Sequence, residues 1–462
     1  MKFQKAMKIY AQYDKNQKCD MPLTGKGSIT NSILSLQDDV RNLKNASMRM
    51  SYDYDRAQSD YLKFINEQKE KLSPPIEMPT ASSTDFSKYK TFDGYIYDVL
   101  HHDYENLGSN IIASTTRRIW GIYKQDKNEI VRGEKSLRTF GKDQPIPVPS
   151  KCCKLTYEDD LDYVLSLSLF SDNMRRLAGM DRGGVRFILD DKDDYQRAIL
   201  NRLLSGEYKL CECQLAYDHA VNRRTKKARG WYIMVGYAFE KETDNPALDK
   251  DKILGVDLGI VNVLYLASSA DKYFKKYIPG SQINNFKRKE QKRKSDLQRS
   301  RVVRGDGSRG HGRACAVRPT EKQGEYINNF QDNANWNYAH FVVDNAIEQG
   351  CGTIQMEDLS GISKDDKQNK MLSHWAFYDL QLKISNLAAE NGIEVRKIRP
   401  AYTSQRCSEC GYIDKNNRKI QAVFQCQRCG FKKNADFNAA RNIAIRDIDY
   451  IIEEQIKADK AA

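Results

Sequence analysis

Four cysteines impose the hardest constraint on the fold of this 462-residue chain. Cys407-x-x-Cys410 and Cys426-x-x-Cys429 are separated by fifteen residues, and each pair is followed by a glycine, Gly411 or Gly430. Two close thiolate pairs in tight turns can share one tetrahedral ion. A four-sulfur shell leaves that ion no open position, so the expectation is one structural zinc. Seven residues beyond the last cysteine stands Asp436, in Asn434-Ala435-Asp436-Phe437-Asn438-Ala439-Ala440. Two further acids end short apolar strands: Asp257 in Gly255-Val256-Asp257-Leu258-Gly259, and Glu357 in Gln355-Met356-Glu357-Asp358. Hard oxygen ligands from strand ends and a helix start can hold two magnesium ions, about 4 Å apart, against a phosphodiester. Taken alone, Asp257 reads as a turn residue, Glu357 as a surface acid and Asp436 as a helix N-cap. The three together, in this order, point to a nuclease.

Charge supports a polyanionic partner. The formal net charge is +13, and between Lys275 and Lys322 fifteen Lys or Arg face four acids. Such concentration suits a phosphate backbone, and Lys287, Arg288, Lys289, Lys292 and Arg293 are its candidate contacts on a basic helix. A solvated helix face is the plainer alternative. No run of about eighteen apolar residues is present, so no membrane span is expected. Met1 to Lys5 lacks the apolar stretch of a signal peptide. Eleven cysteines without such a signal point to reduced thiols and metal rather than disulfides. Cys152-Cys153 and Cys211-x-Cys213 are expected to be buried in or beside strands. Arg418, inside the zinc loop, reads from spacing alone as an exposed arginine, and His311 as a loop residue that either contacts phosphate or does nothing.

The texture changes along the chain. Met7 to Ala11 reads as a strand, and Ile33, Leu36, Val40 and Leu43 recur at helical steps. More helix is expected from about Tyr61 to Lys71 and from Tyr95 to about Ile122. After Pro149, Asp162 to Leu169, Gly184 to Leu189 and the alternating Trp231, Ile233, Val235, Tyr237 and Phe239 read as strands. From Lys252 strands alternate with helices. The expected fold class is α+β and multidomain. A β-barrel, residues 1–24 and 136–246, carries a helical insertion at 25–135. An RNase H-like domain follows at 247–400 and 436–462, with a zinc ribbon inserted at 401–435.

These stretches resemble a known family. Gly255 to Gly259, Ile354 to Leu359, Tyr402-Thr403-Ser404-Gln405-Arg406-Cys407-Ser408-Glu409-Cys410-Gly411 and Asn434 to Ile443 resemble the split RuvC and zinc-ribbon motifs of transposon-encoded TnpB nucleases and their CRISPR relatives. Ser308-Arg309-Gly310-His311-Gly312-Arg313, Gly350 to Asp358 and Ile199 to Tyr208 are similar to the miniature type V-F CRISPR effectors. The resemblance implies an RNA-guided endonuclease, a prokaryotic cytoplasmic protein of antiviral defence. It implies that Asp257, Glu357 and Asp436 ligate the magnesium ions, that Arg418 is the active-site arginine, and that Cys407, Cys410, Cys426 and Cys429 hold zinc. It further implies a guide RNA with its scaffold, a double-stranded DNA target with a short 5′ flanking motif, an R-loop, and cleavage of both strands in one RuvC site. The helical block and barrel (wedge) would hold RNA and DNA, with Arg117, Arg118 and Trp120 as candidates, and two copies would share one guide as a homodimer. A TnpB nuclease guided by a transposon-end RNA, a non-cutting RuvC-like binding module and an unguided RNase H-like transposase or resolvase are the competing readings.

Overall fold

A computed structural model of the chain describes residues 1–21, 27–71, 92–191, 193–221, 228–243, 245–259, 261–302, 313–358, 377–399, 402–418, 420 and 422–461. The glycine-rich loop with His311 and the basic loop after Val221 lie outside these residues. The chain divides into two compact units, Lys2–Glu240 and Lys241–Ala462, the latter with Met1.

The first unit runs β1 (Lys2–Tyr13), α1 (Ile29–Lys71), α2 (Phe92–Leu100), α3 (Ser109–Val131), β2 (Ile146–Val148), β3 (Cys153–Glu158), β4 (Asp162–Leu167), α4 (Asp172–Leu177), β5 (Val185–Asp190), α5 (Asp194–Leu204), β6 (Lys209–Val221) and β7 (Ala228–Glu240). Its seven strands form one sheet in the order β2-β6-β7-β1-β5-β4-β3. β1 is central, pairing antiparallel with β7 over Lys2 to Tyr10 and with β5 over Tyr10 to Tyr13. Alternation explains the sheet's sidedness: Met7, Ile9 and Ala11 are buried, as are Trp231, Ile233, Val235 and Tyr237. Ile33, Leu36, Val40 and Leu43 of α1 join the same core, so the helical block packs on the strands rather than standing apart. The single helix expected over Tyr95 to Ile122 is two. Gly108 caps α3 at a place where a Cβ would sit 3.3 Å from the Leu169 carbonyl oxygen, to which its own N–H donates at 2.9 Å. Cys152 and Cys213 are buried, while Cys153 and Cys211 are half-buried.

The second unit runs β8 (Asp249–Leu258), β9 (Asn262–Ser268), β10 (Lys276–Pro279), α6 (Ser281–Val302), α7 (Arg313–Glu348), β11 (Cys351–Glu357), α8 (Phe377–Glu390), β12 (Glu394–Ile398), β13 (Val423–Gln425), β14 (Lys432–Asn434), α9 (Ala435–Ile443) and α10 (Ile448–Ala461). The main sheet has the order β10-β9-β8-β11-β12. β9 is antiparallel to β8 and β10, whereas β11 is parallel to β8 and β12. Side chains at alternate positions go to opposite faces. Leu254, Val256, Leu264, Leu266, Ile354 and Met356 pack on α7 and α8. Tyr265 and Ala267 instead pack against Phe437 and Ala440 of α9. β10 was not expected from sequence: four residues with a lysine and a proline at its ends give too short a period to read.

Candidate active site and metal centre

The alternation that sends Val256 and Met356 into the core sends Asp257 and Glu357 to the opposite face. Val256 pairs with Met356 in parallel register, so the two acids follow side by side at the ends of neighbouring strands. α9 lies on that same face because Gly255 lets it. A Cβ there would meet the Ala440 carbonyl oxygen at 2.2 Å and the Ala444 nitrogen at 2.5 Å. The glycine before the acid is therefore what allows helix and strand to touch.

Asp436 stands in the first turn of α9. The N-cap is Asn434, whose side-chain oxygen accepts from the N–H groups of Asp436 (2.9 Å) and Phe437 (3.1 Å). Cap duty thus falls to Asn434, freeing the Asp436 carboxylate for the face shared with Asp257. Asn262, in β9, donates to Asp436 Oδ2 at 2.8 Å, and the Arg418 guanidinium lies 3.4 Å from Asp436 Oδ1. Thr403 donates its hydroxyl to Glu357 Oε1, and the Gln381 amide donates to the Glu357 carbonyl at 2.6 Å. Arg418 is only about a quarter exposed, so the exposed-loop reading from spacing is corrected by its position beside Asp436.

The ribbon is built from two knuckles. Gly411 and Gly430 adopt φ of +75° and +73°, and their N–H groups donate to the carbonyls of Cys407 (2.9 Å) and Cys426 (3.1 Å). The four sulfurs all lie within 4.8 Å of one another, with Cys407–Cys429 at 3.7 Å and Cys410–Cys426 at 3.6 Å. A tetrahedron with metal–sulfur bonds of about 2.3 Å has edges of about 3.8 Å, so this cluster fits zinc. Burial pushes the Cys426 thiol up, yet the N–H groups of Cys429 and Arg428 outweigh it and bring it to about 7, which favours the thiolate.

Residues that sequence reasoning missed tie the ribbon to the acids. Asn417, almost fully buried, donates to the Gln405 and Tyr412 carbonyls and accepts from the Gln427 N–H at 2.9 Å. It pins both knuckles and the turn that carries Arg418. Asn438 and Asn442, on α9, donate to the Arg406 carbonyl at 2.8 and 2.7 Å, and Asn442 also to that of Thr403. Their only sequence signal was the polar spacing within Asp436-Phe437-Asn438-Ala439-Ala440-Arg441-Asn442.

Burial acts on two of the acids. Asp257 is held well above the ordinary carboxylate range, first by burial and then by Glu357 and Asp436, against the opposing pull of Arg418. Burial also raises Glu357, partly offset by Thr403 and Arg418. Carboxylate oxygens on one face, with Asp257 repelled by the other two, are donors of the type a divalent cation such as magnesium takes. Among the described residues, the carboxylates do not gather as tightly as the cysteines do.

The nucleic-acid candidates are dispersed. Arg288, Lys289, Lys292 and Arg293 are exposed along α6, while Lys287 is half-buried and lowered to about 8 by burial. Arg117 and Arg118 are exposed and paired with Asp93 (3.3 Å) and Glu212 (2.7 Å). Trp120 packs on Phe92, 4.8 Å between ring centroids, and so sits in an aromatic cluster.

Residues 377–443 match the family model described as Cas12f1-like, TNB domain. The CRISPR-associated endodeoxyribonuclease Cas12f1 of Sulfoacidibacillus thermotolerans is 35% identical over 452 residues, covering 98% of this chain and 100% of the relative. That of Syntrophomonas palmitatica is 35% identical over 389 residues, covering 77% and 76%. A solved Cas12f1-sgRNA-target DNA complex contains a chain of like fold, with a TM-score of 0.65 at 18% identity over 90% of this chain and 83% of that one. With this identity sustained across nearly its whole length, the chain belongs to the Cas12f1 family of CRISPR-associated endodeoxyribonucleases.

Proposed function

We propose that this RNA-guided DNA endonuclease cuts both strands of its target at one RuvC site made by Asp257, Glu357, Asp436 and Arg418. The observation that carries the reading is the convergence of two strand ends and one helix start on a single face, with a guanidinium beside them. In this scheme the sheet of the second unit is RNase H-like, and residues 401–435 are its inserted zinc ribbon. Residues 1–24 and 136–246 form the wedge barrel, and 25–135 its helical recognition insertion. Magnesium, two ions when bound by the three carboxylates, supplies water activation and neutralises charge on the leaving oxygen. The protein's own groups prepare that site. Asn262 fixes Asp436, Thr403 fixes Glu357, and Arg418 presents a guanidinium where phosphate charge develops. Cys407, Cys410, Cys426 and Cys429 would hold zinc, which would brace the ribbon that carries Arg418 and Thr403.

Specificity divides between chain and RNA. Guide pairing reads the target sequence, while protein reads the 5′ flanking duplex and the shape of the heteroduplex. Displaced single strand then enters the site. The guide with its scaffold is shared by a homodimer, and the exposed lysines and arginines of α6 follow phosphate.

The test is substitution at the acids. Asp257→Ala or Asp436→Ala is expected to abolish cleavage and leave guide-dependent target binding intact, because metal ligation and base pairing are separate. Equal loss of binding and cutting would contradict the assignment. Sequencing the RNA that co-purifies is expected to return a repeat-spacer transcript; a transposon-end transcript would overturn the CRISPR reading.

A further inference from the structure

The N-terminus of α9 borders more than the acids. Beside it lies a hollow of about 310 Å³, lined among others by Tyr265, Tyr273, Phe431, Phe437, Lys275 and Lys433. Its floor adjoins the candidate active site on the same face of the sheet. Tyr265 is the register partner of Asp257, and Phe437 follows Asp436 in the chain; their rings lie 6.0 Å apart. The rim differs in kind. Tyr273 is 77% exposed, a large aromatic presented to solvent, with the ammonium of Lys272 5.0 Å from its ring centre. Lys275 and Lys433 are exposed as well. One carboxylate, Glu409, lines the hollow, and Arg441 already engages it at 2.6 Å. Among the described residues, none of Lys272, Lys275 and Lys433 forms an ion pair, so the rim keeps its positive charge.

Aromatic faces set among unneutralised lysines are what an unpaired polynucleotide recognises: bases stack and phosphates meet ammonium groups. A duplex hides its base faces and is far too wide. The volume falls at the low end of small-ligand clefts, about 300–1,000 Å³, enough for one nucleotide. Lys272 and Arg441 also line a neighbouring hollow of about 330 Å³, which extends the basic surface.

We propose that this hollow is a stacking subsite for one unpaired nucleotide of the strand being cut, its base against Tyr273 and its phosphates on Lys275 and Lys433. The subsite rests on the reading of Asp257, Glu357 and Asp436 as the cutting site, since it would hold a neighbour of the scissile phosphate.

The experiment uses the guide-loaded complex activated by its target, offered a separate single-stranded oligodeoxynucleotide carrying 2-aminopurine. Tyr273→Ala is expected to raise KM for that strand about fivefold to a hundredfold, with kcat changed little and guide-dependent target binding unchanged. Tyr273→Phe should restore KM, because stacking needs the ring and not the hydroxyl. Binding measured in an Asp257→Ala background should quench 2-aminopurine fluorescence, and Tyr273→Ala should abolish the quench. Lys275→Gln with Lys433→Gln should weaken binding and flatten its salt dependence. Unchanged KM and unchanged quench in Tyr273→Ala would overturn the subsite. Continued cutting by Asp257→Ala would instead overturn the active-site reading, and the quench reports on the subsite independently of it.

Discussion

Burial and two neighbouring carboxylates oppose the charged form of Asp257. A carboxyl raised in the folded state stabilises that state while it is protonated. Its contribution is therefore present below the ordinary carboxylate range and is lost as pH rises through the raised value. At neutral pH without added magnesium, Asp257→Asn is expected to raise the melting temperature by a few degrees, about 2–4 °C per kcal/mol relieved, while cleavage disappears. Differential scanning calorimetry beside a cleavage assay checks both. By the same logic protons compete with the cation, so cleavage should fall on acidification at a pH above the usual carboxylate range. Arg418→Ala is expected to slow cleavage by about 10²–10³-fold with target binding kept, measured under single turnover. The acids were legible because each ends an apolar strand or opens a helix. Asn262, Thr403 and Asn417 were not, because their meaning lies in partners brought near only by folding, 174 residues away for Asn262 and Asp436.

At the scale of elements, the approach of α9 to β8 decides whether three acids face one point. Gly255→Ala would place a methyl group 2.2 Å from the Ala440 carbonyl oxygen, so the helix must move and take Asp436 with it. The expected outcome is a protein with normal zinc content and a strongly reduced cleavage rate, checked by metal analysis and kinetics. Cys407→Ser should act from the other side. Loss of zinc loosens the ribbon, releasing Arg418 and Thr403, and metal analysis of the variant should fall to zero. The strands around the acids and the helix period of α1 were readable from alternation and three- and four-residue steps. The break between α2 and α3 was not, because Gly108 responds to the Leu169 carbonyl on a distant segment. β10 escaped for want of length.

For the whole molecule, the charge excess sets how binding responds to salt. Replacing Arg288, Lys289, Lys292 and Arg293 by glutamine is expected to weaken guide or target binding. The slope of log affinity against log salt should fall by about one for each phosphate contact removed. Titration over a range of salt measures it, and an unchanged slope would leave α6 as plain solvated surface. Mass measurement of the RNA complex counts protein copies per guide. The geometry of the acids bears on a different matter. Asp257 and Glu357 are 100 positions apart and Asp436 lies 79 beyond Glu357, so no short fragment contains the proposed cutting site. Contacts between segments so far apart carry a loop-closure cost that must be met before they form. A fragment that lacks any one of the three elements thus lacks the proposed site, and cutting arrives only together with the scaffold that positions it.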